Sequence, residues 1–95
     1  MDYFLPVDAV VWLVPGRRLD GEVEREIQAV LAEGPRRLGE LVDDVAERLI
    51  ERECARSGGA PEVALMAARV FPARVAQTIA AIDGDVVRVA ADHAL

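Results

Sequence analysis

The chain has 95 residues, 11 of them basic and 17 acidic, so its formal net charge is −6 at pH 7. This length fits a single small domain over residues 1–95, and an apolar fraction of 53% indicates a packed core rather than disorder. The acidic balance disfavours non-specific binding to nucleic acid or to an anionic membrane. The excess acid is concentrated in residues 1–33, which carry 3 basic and 7 acidic side chains, whereas residues 34–95 are close to balance.

The expected compartment follows from the cysteine count and the N-terminal segment. Cys54 is the only cysteine, so the chain cannot form an internal disulfide. The apolar run Tyr3–Val14 is too short to span a bilayer and lacks the basic flank of a signal peptide. We therefore expect a cytoplasmic protein with no membrane partner. All basic residues are arginine, and this lysine-free, alanine-rich usage suggests a GC-rich bacterial genome.

An apolar N-terminal strand or arm is predicted over residues 1–16. Val10, Val11 and Val14 are β-branched and precede the turn signal Pro15-Gly16, which favours a strand over residues 9–14. A helix that begins at Pro6 is the alternative.

Two amphipathic helices are predicted next, at the start of a core that extends over residues 22–90. The first covers residues 22–33, with Asp20 as a candidate cap and Gly34-Pro35 as its end. The second covers residues 37–56 and ends at Ser57-Gly58-Gly59, with Asp44 and Arg48 spaced for an ion pair. Their apolar stripes are Val23, Ile27, Val30 and Leu31 in the first and Leu38, Leu41, Val42, Val45, Leu49 and Ile50 in the second.

The last third of the chain contains a proline that leaves two interpretations open. Residues 61–82 form either two helices or one kinked helix, because Pro72 disfavours helical geometry at Phe71. Asp83-Gly84 ends the helical pattern, and residues 85–90 alternate as a strand that could pair with residues 9–14. The fold class predicted is mainly α with a small β component: three to four helices and a two-stranded terminal pairing.

The residues needed for catalysis are scarce. His93 is the only histidine and lies near the C-terminus, and neither Cys54 nor Ser57 has a base at a motif spacing. The chain has no glycine-rich phosphate loop and no metal-ligand pattern. We therefore expect a protein that is not an enzyme and that uses no cofactor or metal.

The order of elements resembles that of the winged helix-turn-helix superfamily. The stretch IQAVLAEGPRRLGELVDDVAERL, residues 27–49, is similar to a first helix, a glycine-containing break and a second helix. The stretch FPARVAQTIAAIDGDVVRVA, residues 71–90, is similar to a recognition helix followed by a glycine turn and a wing strand. The resemblance implies a recognition helix at residues 73–82 and a wing at 85–90.

Two function classes follow. The first is a regulatory or adaptor module that binds a protein partner or a second copy of itself, since small domains often complete their core by association. The second is a DNA-binding transcriptional regulator. The candidate protein interface is Tyr3, Phe4, Trp12 and Phe71, and the candidate nucleic-acid contacts are Arg36, Arg37, Arg69, Arg74, Gln77, Thr78 and Arg88.

Overall fold

The computed structural model describes residues 8–84 and 86–90. Three helices pack on one face of a small antiparallel sheet, so the fold is mainly α with a small β component. The elements in chain order are β1 (Val10–Leu13), α1 (Glu22–Leu31), β2 (Arg36–Arg37), α2 (Leu38–Arg56), α3 (Pro61–Ile82) and β3 (Val87–Ala90).

The sheet has the strand order β2-β1-β3, with β1 in the centre. Trp12 lies opposite Arg88, which confirms both the strand expected within residues 9–14 and its pairing with the C-terminal strand. The alternative of a helix is wrong for Val10–Leu13. This terminal pairing is part of a larger sheet than the sequence predicts, because Arg36 and Arg37 add a third strand opposite Val11 and Val10. A strand of two residues is too short to show the alternation that would reveal it in a sequence.

The first helix buries the predicted face, Val23, Ile27, Val30 and Leu31. The expected cap by Asp20 is wrong, because Gly21 occupies the N-cap position and no side chain caps the helix. Gly21 has φ 109° and ψ 154°, a backbone conformation that a non-glycine residue adopts only with strain. Its carbonyl oxygen accepts the first helical hydrogen bond, from the N–H of Arg25 at 3.0 Å.

The second helix ends in a fixed turn. The N–H of Gly59 donates to the carbonyl oxygen of Cys54 at 2.8 Å, and the N–H of Gly58 donates to that of Ala55 at 3.3 Å. Gly58 has φ 75°, so these bonds form the left-handed Schellman ending that glycine favours. The turn reverses the chain and sets α3 alongside α2.

The third helix runs without a break from Pro61 to Ile82, so of the two interpretations the single helix is correct, and Pro72 lies inside it. Helices tolerate an internal proline when packing offsets the lost N–H donor. Val75 and Ile79, one and two turns after Pro72, are fully buried and anchor this half of the helix. In the half before Pro72, only Ala67 is buried.

The core lies between the helices and the inner face of the sheet. It contains no buried polar or charged side chain among the described residues. The predicted apolar stripe of α2 is confirmed. Four of its residues lie in this core, and Val42 and Ile50 are partly buried against it. The buried cluster comprises Ala9, Val11, Leu19, Val23, Ile27, Val30, Leu31, Leu38, Leu41, Val45, Ala46, Leu49, Val75, Ile79 and Val87.

Candidate functional site

The first arginine of the predicted nucleic-acid set, Arg36, is engaged within the domain. It lies opposite Val11, so the strand register directs it to the inner side of the sheet. Its guanidinium donates to the carboxylate of Asp44 at 3.0 Å and to that of Glu33 at 2.9 Å. These ion pairs differ from the expected pairing of Asp44 with Arg48, which was wrong: Arg48 contacts Glu26 at 3.7 Å. The charge of Arg36 is therefore balanced inside the chain.

Two further arginines join α2 to α1 across the surface. Arg56 donates to Glu22 at 3.1 Å, and Arg52 donates to both Glu22 and Glu26. The hydrogen bond from Arg56 holds the pKa of Glu22 below its ordinary value, although desolvation acts in the opposite direction. The hydrogen bond with Glu26 raises the pKa of Arg52. These pairs join residues far apart in the sequence, so local residue spacing does not predict them.

The outer face of the sheet carries two other members of the predicted set. Residues directly opposite each other in an antiparallel pair project to the same face, and so do residues two apart along a strand. Arg37 opposite Val10 and Arg88 opposite Trp12 therefore share the outer face. Both arginines are exposed, whereas Trp12 is half-buried.

The remaining members of the set lie on α3. Arg69, Arg74 and Gln77 are exposed. Thr78 is half-buried, and its hydroxyl donates to the carbonyl oxygen of Arg74 at 2.8 Å. The predicted contacts are thus divided between the inner side of the sheet, its outer face and the third helix.

Two of the four predicted interface residues are described. Tyr3 and Phe4 lie outside the described residues, as do His93 and the wing position Asp85. Trp12 is on the sheet, and Phe71 on α3 is half-buried against the core. Phe71 also borders the apolar surface described next.

The first half of α3 exposes three large apolar side chains, which we call the α3 apolar face. The exposed fractions are 59% for Leu65, 63% for Met66 and 47% for Val70. Isolated exposed apolar residues are common, but a cluster on one short helical segment is typical of a binding surface. Leu65, Met66 and Val70 carry no signal of exposure in the sequence, because the apolar pattern of residues 61–71 does not separate a core side from a solvent side.

A shallow groove runs along this face, between α3 and the C-terminal end of α2. Its apolar floor comprises Val63, Met66, Ala67, Val70 and Phe71. Its charged rim comprises Glu53 and Glu62 at one end and Arg74 at the other. An apolar floor with a charged rim can hold a helix or a short peptide.

Three further properties of the described residues bear on function. One helix, Pro61–Ile82, is long and apolar enough to cross a membrane by length and composition alone, a test that core helices of soluble proteins also pass. No group of three histidine, cysteine, aspartate or glutamate side chains within the described ranges could hold a metal ion. Cys54 is a free, half-buried thiol.

No protein-family model, curated protein sequence or solved structure matches this chain. The interpretation of its function therefore depends on the geometry of the described residues.

Proposed function

We propose that this chain is a small, non-enzymatic regulatory or adaptor module that binds a protein through the α3 apolar face. The observation that carries the proposal is the exposure of Leu65, Met66 and Val70 on one helical segment. Leaving such side chains in water costs free energy that a protein partner would recover by covering them.

The internal ion pairs support a protein partner over a nucleic acid. Arg36, Arg48, Arg52 and Arg56 all contact carboxylates of the same chain. These contacts reduce the positive charge available to phosphates, in a chain whose net charge is already −6. The winged-helix resemblance of the sequence is compatible with either partner, since that fold serves both purposes.

Photo-crosslinking in the source cell tests this proposal. A benzophenone amino acid in place of Met66 should yield an adduct with a protein, whereas the same probe in place of Glu51, exposed on α2, should not. The adduct can contain a second copy or a different protein, and either result supports the proposal. A folded, expressed variant that yields no protein adduct at position 66 would overturn it.

The outer face of the sheet favours a second candidate function, DNA binding. Trp12 lies directly opposite Arg88 and diagonal to Arg37, which is opposite Val10, and basic side chains near an aromatic ring suit contacts with phosphates and bases. Fluorescence anisotropy with a mixed-sequence duplex, titrated with salt, tests it. Binding that weakens with salt and with Arg88→Ala would support this candidate, and no binding at low salt would exclude it.

A further inference from the structure

Four apolar residues of α3, two of them exposed and two half-buried, form a stripe with the spacing of a coiled-coil seam. Val63, Met66, Val70 and Ala73 follow one another at intervals of three, four and three residues. At 100° per residue these positions lie along one side of the helix, and Leu65 lies off that side. Met66 and Val70 in the middle of the stripe are 63% and 47% exposed. The stripe therefore matches the surface that one helix presents to another.

The charges along the groove have opposite signs at its two ends. Glu62 precedes the stripe, and Glu53 of α2 borders the same end. Arg74 follows the stripe at the other end. A partner helix that ran in the same direction and carried the same residues would set acid against acid and arginine against arginine. One that ran in the opposite direction would set acid against arginine.

We propose that the occupant of this groove is α3 of a second copy of the chain, packed antiparallel about a two-fold axis at the level of Ala68. This inference rests on the proposed function, because it names the partner of the same surface. Its basis is the self-complementarity of the stripe and of the charges at its ends. A two-fold axis requires such self-complementarity, since one surface must serve both subunits.

The proposed axis brings matching residues to the same level. Met66 and Val70 are each two residues from Ala68, so Met66 packs against the partner's Val70. Val63 and Ala73 are each five residues away and pack in the same manner. Arg74 lies six residues from the axis, about 9 Å along the helix, at the acidic end of the partner's groove. Arg69 lies beside the stripe, on the side opposite to Arg74, and its long exposed side chain can extend into solvent.

Sedimentation velocity of the purified full chain over a dilution series tests the inference. We expect a reversible monomer–dimer equilibrium whose dimer dissociation constant rises at least tenfold in Met66→Ser/Val70→Ser. Glu51→Ser is the control, because Glu51 is exposed on α2 and does not line the groove. Its dissociation constant should stay within twofold of the unsubstituted chain. An equal loss in the control would show non-specific association and overturn the inference.

Charge reversal tests the direction of the two helices. Glu53→Arg/Glu62→Arg and Arg74→Glu should each weaken the homodimer, since each sets like charges at the ends of the groove. An equimolar mixture of the two variants should recover a dimer, because each charge then meets its opposite in the mixed pair. Two weakened variants that do not recover on mixing would contradict the antiparallel arrangement. Circular dichroism should show that all these surface variants keep the fold.

Two other results would overturn the proposed dimer with different consequences. If the purified chain stays monomeric at every concentration while the probe at position 66 crosslinks to a different protein, self-association fails and the proposed function stands. If the chain co-sediments with phosphatidylcholine–phosphatidylglycerol vesicles only while Met66 and Val70 are present, and yields no protein adduct, a lipid surface is the occupant. In that case both proposals fail.

Discussion

The guanidinium of Arg36 donates to the carboxylate of Asp44 at 3.0 Å and so joins β2 to the second turn of α2. Asp44 therefore pairs with Arg36 and not with Arg48, which lies one turn further along α2 and contacts Glu26. Arg36 leaves β2 on the inner side of the sheet, where helix α2 begins at the next residue but one. This ion pair fixes the short strand against the helix that follows it.

Asp44→Ala should lower the free energy of unfolding by less than about 1 kcal/mol, because the pair is partly exposed and water screens it. Urea denaturation measures the change. Asp43→Ala is the matched control, since Asp43 is exposed on the same helix and makes no ion pair in the described part of the chain. In a double-mutant cycle, Arg36→Ala should have a smaller effect in the Asp44→Ala background than alone. Fully additive effects would contradict a stabilising contact.

A second prediction concerns pH. The pKa of Glu22 lies below its ordinary value in the folded chain, so folding favours the ionised carboxylate. Its stabilisation is fully present above the unfolded pKa, near 4.5, and is lost as the pH falls through the lower folded pKa. The difference in unfolding free energy between the unsubstituted chain and Glu22→Gln should therefore be largest near neutral pH and shrink below 4.5.

Thermal or urea unfolding from pH 7 to pH 3 gives this profile, with Glu51→Gln as the control. Glu51 is exposed on α2 and makes no ion pair in the part of the chain that the structure describes, so its substitution should give a flatter profile. A Glu22→Gln difference that grew as the pH fell would contradict the assigned sign.

The sequence predicts the helices well because their signals are local. The apolar stripe of α2 and the terminating Ser57-Gly58-Gly59 each arise from residues within a few turns of one another. The sequence does not predict β2, because a two-residue strand depends on its partner strand and not on its own residue pattern. The sequence does not decide whether α3 continues through Pro72, because the continuity depends on the burial of Val75 and Ile79 in the packed fold.

The candidate site has weaker signals in the sequence than the fold has. Met66 and Val70 are ordinary apolar residues in a helix, and a sequence does not show which side of that helix faces the core. The spacing from Val63 to Ala73 carried a signal, but the buried residues Ala67 and Val75 continue the apolar pattern around the helix and obscure it. The ion pairs of Arg52 and Arg56 with α1 were hidden for a related reason, since they join residues far apart in the sequence.

A third prediction tests the turn between α2 and α3. Gly58→Ala should lower the free energy of unfolding by about 1 kcal/mol, because an alanine is strained in the left-handed conformation that the turn requires. Apart from Gly58 itself and its two chain neighbours, no residue has an atom within 4 Å of the added methyl carbon, so conformation rather than crowding causes the loss. Gly58→Asn should lose less, since asparagine tolerates this conformation better. Equal losses in the two variants, measured by urea denaturation, would contradict the explanation.

The last prediction separates the buried and exposed sides of α3. Ile79 is fully buried in the cluster between the helices and the sheet, so Ile79→Ala should lower the free energy of unfolding by about 3 kcal/mol. Leu65 is 59% exposed, so Leu65→Ala should change the free energy of unfolding by less than about 0.5 kcal/mol. Both variants remove a branched aliphatic side chain of similar size from one helix, so the comparison isolates burial. Urea denaturation at a concentration where the chain is monomeric measures both, and similar losses would show that Leu65 is covered within the same chain.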